Sequence, residues 1–204
     1  LYPDPMGTMF SGSAIVDRKN ATGLKENEND PVLLFYTAAG GTSELSAGKP
    51  FVQCLAYSTD GGRTFRKYDK NPILEELAEG NRDPKVIYHP QSGKYIMAVY
   101  LTGNRFALLS SDNMLEWTKQ QEIALENDAE CPDFYPLAVD GDEKNIKWVL
   151  CGASDRYLIG SFDGCCFKPD TETRRLHFGD SSYASQSWSG LEESDGRRIR
   201  IAWN

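Results

Sequence analysis

The chain has little that could stabilise it other than its own core. It holds only five cysteines, Cys54, Cys131, Cys151, Cys165 and Cys166, an odd number with no C-x-x-C pair, which excludes a disulfide scaffold. With only His89 and His177 to add imidazole, a structural zinc site is not expected, and no metal or organic cofactor is implied. Basic charge is also scarce. Against 30 Asp and Glu stand 22 Lys and Arg, a formal net charge of −8, which argues against nucleic acid as a partner. Apolar runs are short: the longest, residues 32–39, falls far below the roughly 20 residues of a membrane helix, so no membrane span is expected. Leu1 opens no signal-type segment. Asn20-Ala21-Thr22 fits the N-glycosylation pattern, but a pattern so short leaves the compartment open.

What the chain does contain is β-prone segments between turn residues. Eighteen glycines and 10 prolines are spread along its whole length, leaving few windows for an amphipathic helix and predicting an all-β fold. Apolar strands recur at Val32-Leu33-Leu34-Phe35-Tyr36, 95–101, 148–151 and 199–203, the last three each following a basic residue: Lys94, Lys147 and Arg198. A second landmark keeps the same period. Ser58-Thr59-Asp60-Gly61, Ser110-Ser111-Asp112-Asn113 and Ser161-Phe162-Asp163-Gly164 read as Asp-closed hairpin turns, each followed by an aromatic residue, Phe65, Trp117 or Phe167.

Two landmarks in register at about fifty residues predict repeated four-stranded units, the blades of a β-propeller. The units divide at about 1–70, 71–121, 122–170 and 171–204, giving three blades and a partial one. Because a propeller needs roughly 4 to 8 blades to close, open sheet edges are expected, with self-association as their hazard.

The first strand of each blade lines the propeller axis. The peptides in front of the apolar strands are Phe10-Ser11-Gly12-Ser13, Asn81-Arg82-Asp83-Pro84, Glu130-Cys131-Pro132-Asp133 and Tyr183-Ala184-Ser185-Gln186. The repeat therefore sends Asp83, Glu130, Arg82 and several hydroxyls toward one pocket. Alone, Asp83 reads as a turn or ion-pair residue and Glu130 as a solvated glutamate; together they suit glycoside chemistry, in which one acid protonates a leaving oxygen and negative groups steady an oxocarbenium-like transition state. Asp140-Gly141-Asp142-Glu143 lacks the spacing of a calcium loop and reads as a hairpin turn. Trp117, Trp148, Trp188 and Trp203 are expected in packing between blades, with Trp188 also placed to stack on a sugar. No Gly-x-Ser-x-Gly elbow surrounds Ser11 or Ser13.

These four peptides, in this order, resemble the motifs of glycoside hydrolase family 32, the invertase, inulinase and levanase family, and the resemblance runs to Trp203. It implies a five-bladed propeller that hydrolyses β-fructofuranosyl linkages with retention, through a covalent fructosyl intermediate. By motif, Glu130 would be the general acid and base and Asp83 the transition-state stabiliser. Arg82, Phe10, Ser11, Gly12, Cys131, Tyr183, Gln186 and Trp188 would line the site of a fructose-containing saccharide. As general acid, Glu130 is expected to have a raised pKa. The family's nucleophile lies in an Asn-Asp-Pro-Asn-Gly type motif about one blade before Phe10, ahead of this sequence, and the family's C-terminal β-sandwich is likewise not expected here. Asp4-Pro5-Met6-Gly7 is similar to the nucleophile motif but stands too close to Ser11 and reads as a connection. Two alternatives stay open: a propeller that binds fructosyl sugars without cleaving them, and an inverting furanosidase.

Overall fold

Segments rich in β-branched and aromatic residues, cut by Gly- and Asp-containing turns, form antiparallel sheets and almost no helix. A computed structural model of the chain describes residues 1–177, 179, 181–188 and 197–204. The first blade is a meander of β1 (Thr8–Val16), β2 (Val32–Ala39), β3 (Phe51–Ser58) and β4 (Arg66–Lys67). The second repeats it with β5 (Arg82–His89), β6 (Lys94–Thr102), β7 (Arg105–Ser111) and β8 (Thr118–Ala124). The third contains β9 (Asp133–Val139), β10 (Asp142–Cys151), β11 (Arg156–Phe162) and β12 (Phe167–Pro169), with β13 (Arg174–Arg175) also paired to β11. A hairpin of β14 (Tyr183–Ser187) and β15 (Arg200–Trp203) begins a fourth. The described sheets are therefore three blades and part of another. β8 runs to Ala124, past the division drawn at about 121, and β13, which lies beyond the division drawn at about 170, pairs back to the third blade.

The recurring apolar runs are the second strands, and β6 shows why they are nearly continuous. Side chains alternate between the faces of a strand, and both faces of this sheet are covered. Tyr95, Met97, Val99 and Leu101 pack toward the first blade with Leu33, Phe35 and Leu55. Ile96, Ala98 and Tyr100 pack toward the third with Phe134, Trp148, Leu150 and Phe167. Each fully buried large side chain contributes about 1.5–3 kcal/mol, so the blades adhere through two continuous apolar layers. Trp148 lies in the second layer among Phe134, Phe162 and His89, and Trp117 meets Phe35 edge-on. Trp188 and Trp203 differ from expectation: both are exposed, because the hairpin that carries them has no sheet packed against that side among the described residues.

The Ser-x-Asp turns join the third strand to the fourth in each complete blade, as their spacing predicts. Asp60 Oδ1 accepts from the amides of Arg63 and Thr64, each at 3.0 Å, and Asp163 Oδ1 from Cys165 at 2.9 Å and Cys166 at 2.7 Å. In the second blade the closing residue is Asn113, which accepts from Leu115 and Glu116, each at 2.9 Å. Asp112, expected in that role, instead pairs with Lys94. Of the outer edge strands, β4 and β12 have two and three residues, and short edge strands are poor templates for further pairing, whereas β8 presents seven.

Candidate active site

The first strands of the blades, β1, β5, β9 and β14, come together at the axis, and three of them are irregular at their start. Register shifts fall between Met9 and Gly12, Arg82 and Lys85, and Tyr183 and Gln186. Bulges of this kind re-aim side chains that a regular pleat would send into the neighbouring blade. Asp83 and Ala184 take left-handed φ values of 63° and 51°, and before β9 so do Glu130 and Cys131, at 57° and 41°. Non-glycine residues occupy this region only where surrounding structure holds them.

That structure comes from other blades. The Asp83 amide donates to Thr37 Oγ1 of the first blade at 2.9 Å. Thr37 donates to Gln53 Oε1 at 2.7 Å, and Gln53 Nε2 donates to the Asn81 carbonyl at 3.2 Å. From the third blade, the Cys131 amide donates to Asp83 Oδ2 at 3.0 Å. Arg82 then bridges the two carboxylates: its Nη2 donates to Glu130 Oε1 at 2.5 Å, and its Nε lies 3.9 Å from Asp83 Oδ2. Tyr183 of the fourth unit donates its hydroxyl to Glu130 Oε2. Residues from four sheets thus converge on one acidic pair.

The two carboxyls differ in environment. Asp83 is 8% exposed, and burial pushes its pKa up against the opposing pull of the Cys131 amide and Arg82. Glu130 is more open, and the hydrogen bonds from Tyr183 and Arg82 hold its pKa below the ordinary glutamate value. This reverses the raised value expected for Glu130, because two donors outweigh burial there. The same bond to Glu130, with burial, raises the Tyr183 phenol. Burial and the adjacent Asp83 push the Cys131 thiol up to about 12.

The remaining motif residues have distinct positions. Phe10 and Ser11 occupy the β1 bulge, exposed, with Phe10 edge-on to Phe51 at 5.6 Å. Gly12 is required sterically, since a Cβ there would lie 1.8 Å from the Phe35 carbonyl oxygen. Ser13 fastens β1 to β5, donating to the Pro84 carbonyl at 2.8 Å and accepting from the Val86 amide at 2.9 Å. Gln186 donates to the carbonyls of Cys131 and Pro132. Further along the first strands, a cavity of about 370 Å³ is lined by Gly12, Ser13, Ala14, Lys85, Gln186, Ser187 and Trp188. Asp4 lies apart, paired with Lys67 of β4 at 2.6 Å, as a connection residue would. Asn29-Asp30-Pro31 also contains the look of a nucleophile motif, but it precedes β2 at the far end of the sheet from Ser11, with Asp30 paired to Lys25.

A sequence profile described as "Glycosyl hydrolases family 32 N-terminal domain" matches residues 2–204. The chain belongs to glycosyl hydrolase family 32. Levanase of Bacillus subtilis (strain 168) is 34% identical over 222 residues, covering all of this chain and 32% of that protein; the chain therefore spans about a third of that relative. Among solved family 32 structures, exo-inulinase from Aspergillus awamori superposes with a TM-score of 0.83 at 25% identity over 96% of this chain and 45% of that one. The β-fructofuranosidase from Schwanniomyces occidentalis complexed with fructosyl-erythritol gives 0.82 at 29% identity, over 96% and 40%.

Thr37, Gln53 and Lys85 support the site and are absent from the motif reading. A signal was present for two of them: Thr37 and Gln53 are polar residues inside largely apolar strands, and all three are buried. A buried polar group requires a partner, so such interruptions mark hydrogen-bond networks.

Proposed function

We propose that this chain supplies two of the three carboxylates of a retaining β-fructofuranosidase acting on sucrose, inulin, levan or short fructooligosaccharides. The observation that carries the reading is the Arg82 guanidinium set between Asp83 and Glu130 on the propeller axis. In this mechanism Glu130 protonates the departing glycosidic oxygen while a carboxylate from outside these 204 residues attacks the anomeric carbon, forming a fructosyl ester. Glu130 then takes a proton from water, which attacks the same carbon and releases fructose. Asp83, ionised beside Arg82, steadies the oxocarbenium charge and holds fructosyl hydroxyls with Arg82. Phe10, Ser11 and Gly12 form the rim next to the sugar, and Tyr183 orients Glu130.

The acid role requires a proton that the free site disfavours. Sugar hydroxyls that take over the Arg82 donors, together with an incoming nucleophile carboxylate, raise the Glu130 pKa in the complex. The test is turnover of sucrose, inulin and levan by a protein containing this chain and the segment before it, compared with its Glu130→Gln variant. The expected result is hydrolysis with retention, lost by roughly 10³-fold in the variant. Fructose binding with no turnover in the parent protein would favour the non-catalytic sugar-binding alternative.

A further inference from the structure

Beneath the carboxylate pair lies a second polar cluster that the mechanism above does not use. Lys85 Nζ is 3.0 Å from Asp133 Oδ1 and donates to the Ser187 carbonyl at 2.7 Å and to Gln186 Oε1 at 3.3 Å. Asp133 Oδ2 accepts from the Ser187 amide at 2.7 Å. Asp133 is completely buried and Lys85 nearly so. An ion pair removed from water in this way is a poor source of net stability but a strong fixer of geometry, since any displacement leaves a buried charge uncompensated. Here it joins β5, β9 and β14, and fixes Gln186 through the oxygen of its side-chain amide.

The nitrogen of the same amide reaches the strained backbone. Gln186 Nε2 donates to the Cys131 carbonyl at 3.0 Å and the Pro132 carbonyl at 3.1 Å. These bonds hold the carbonyl of Cys131, the second of two consecutive left-handed residues after Glu130, and the carbonyl of the next residue, Pro132; a residue that precedes a proline, as Cys131 does, favours extended φ instead. We propose that Gln186, oriented by the Lys85–Asp133 pair, is a positioning residue that clamps the Glu130-Cys131 backbone, and so sets both the Glu130 carboxyl and the Cys131 N–H that holds Asp83. One side-chain amide on the fourth unit thereby determines the relative placement of carboxyls carried by the second and third. The catalytic consequence rests on the fructosidase reading; the clamp itself does not.

The experiment uses the longer protein and its Gln186→Met and Gln186→Glu variants. Methionine keeps the length without hydrogen-bonding capacity, and glutamate keeps the acceptor for Lys85 but cannot donate to the two carbonyls when ionised. Two readouts are taken. The first is the iodoacetamide alkylation rate of each cysteine by peptide mass spectrometry, in which buried Cys54 and Cys151 report on the fold. The second is kcat and KM on sucrose across pH. Both variants are expected to alkylate Cys131 about tenfold faster with Cys54 and Cys151 unchanged. Both are also expected to lose about tenfold in kcat with a smaller change in KM and a displaced pH limb. Unchanged alkylation at Cys131 overturns the clamp. Faster alkylation with unchanged kcat and pH profile overturns the positioning role. Faster alkylation in a protein whose parent shows no turnover supports the clamp and overturns the fructosidase reading alone.

Discussion

Each complete blade carries a polar turn closer between its third and fourth strands, and the second and third blades also carry a carboxylate at the axial end, but the two ends are built on opposite principles. Asp60, Asn113 and Asp163 are satisfied within their own turns, by amides two to four residues away. Asp83 and Glu130 are satisfied by other blades: Asp83 by Cys131, with its own amide tied to Thr37, and Glu130 by Arg82 and Tyr183. A locally closed turn tolerates exchange, and the second blade already uses Asn where the others use Asp. An axial carboxyl held across blades has no such freedom, because its charge is balanced by groups positioned for it. The repeat supplies acidic residues at both ends; only the source of their partners separates structure from chemistry.

The same substitution, Asp to Asn, should therefore have effects that differ by orders of magnitude with position. Asp83→Asn in the longer protein is expected to lower kcat on sucrose by 10² to 10³-fold, at the scale of removing one preorganised electrostatic partner of a transition state. Circular dichroism unchanged from the parent would show that the loss is chemical; near-parental kcat would place Asp83 with the turn residues. Asp155→Asn is next. Its buried carboxylate accepts from Arg200, Ser182 and, at 2.5 Å, Ser185, joining the fourth unit to the third blade. The loss should be about 2–3 kcal/mol of stability by urea titration. Burial alone would raise the Asp155 pKa, but the bonds from Ser182, Ser185 and Arg200 outweigh it and leave the value lowered. Its contribution is thus fully present above the ordinary Asp pKa and fades as pH falls through the lowered folded value, so the gap between parent and variant should narrow in acid.

Tyr183→Phe should act on protonation. Removing the donor that holds the Glu130 pKa down lets it rise, so the acid keeps its proton to higher pH. The basic limb of kcat/KM is expected to move upward with a loss in kcat of about tenfold or less. A basic limb that stays in place would break the assignment of that limb to Glu130. Asp60→Asn is the smallest change, with parental activity and at most a small loss in thermal midpoint, since Asn113 makes the same two amide bonds in the next blade and only the bond from Thr64 Oγ1 to Asp60 Oδ2 is altered. A clear loss there would show that the turn ends are not interchangeable.

This contrast also explains what the sequence made legible. Strand period, turn chemistry and the fifty-residue repeat are local or periodic properties, so the blades, their second strands and the four axial peptides could be read from residues alone. The opposite directions in which the Asp83 and Glu130 pKa values move could not, because they depend on which of two carboxyls the Arg82 and Tyr183 donors reach. Nor could the work of Gln186, whose motif position suggests a sugar contact while its amide is turned to the Cys131 and Pro132 carbonyls. The one-residue slip at Asn113 escaped for a simpler reason: Asp112 and Asn113 are adjacent, and either side chain can close a turn.

The claim on which the rest depends is that Asp83, Arg82 and Glu130 face a single fructosyl unit. A crystal structure of the longer protein carrying Glu130→Gln, soaked with sucrose, tests it directly. Fructosyl hydroxyls are expected within hydrogen-bond distance of the Asp83 carboxylate and Arg82, with the glycosidic oxygen facing residue 130. Sucrose seated elsewhere, for instance in the cavity beside Lys85 and Trp188 with Asp83 untouched, would contradict it.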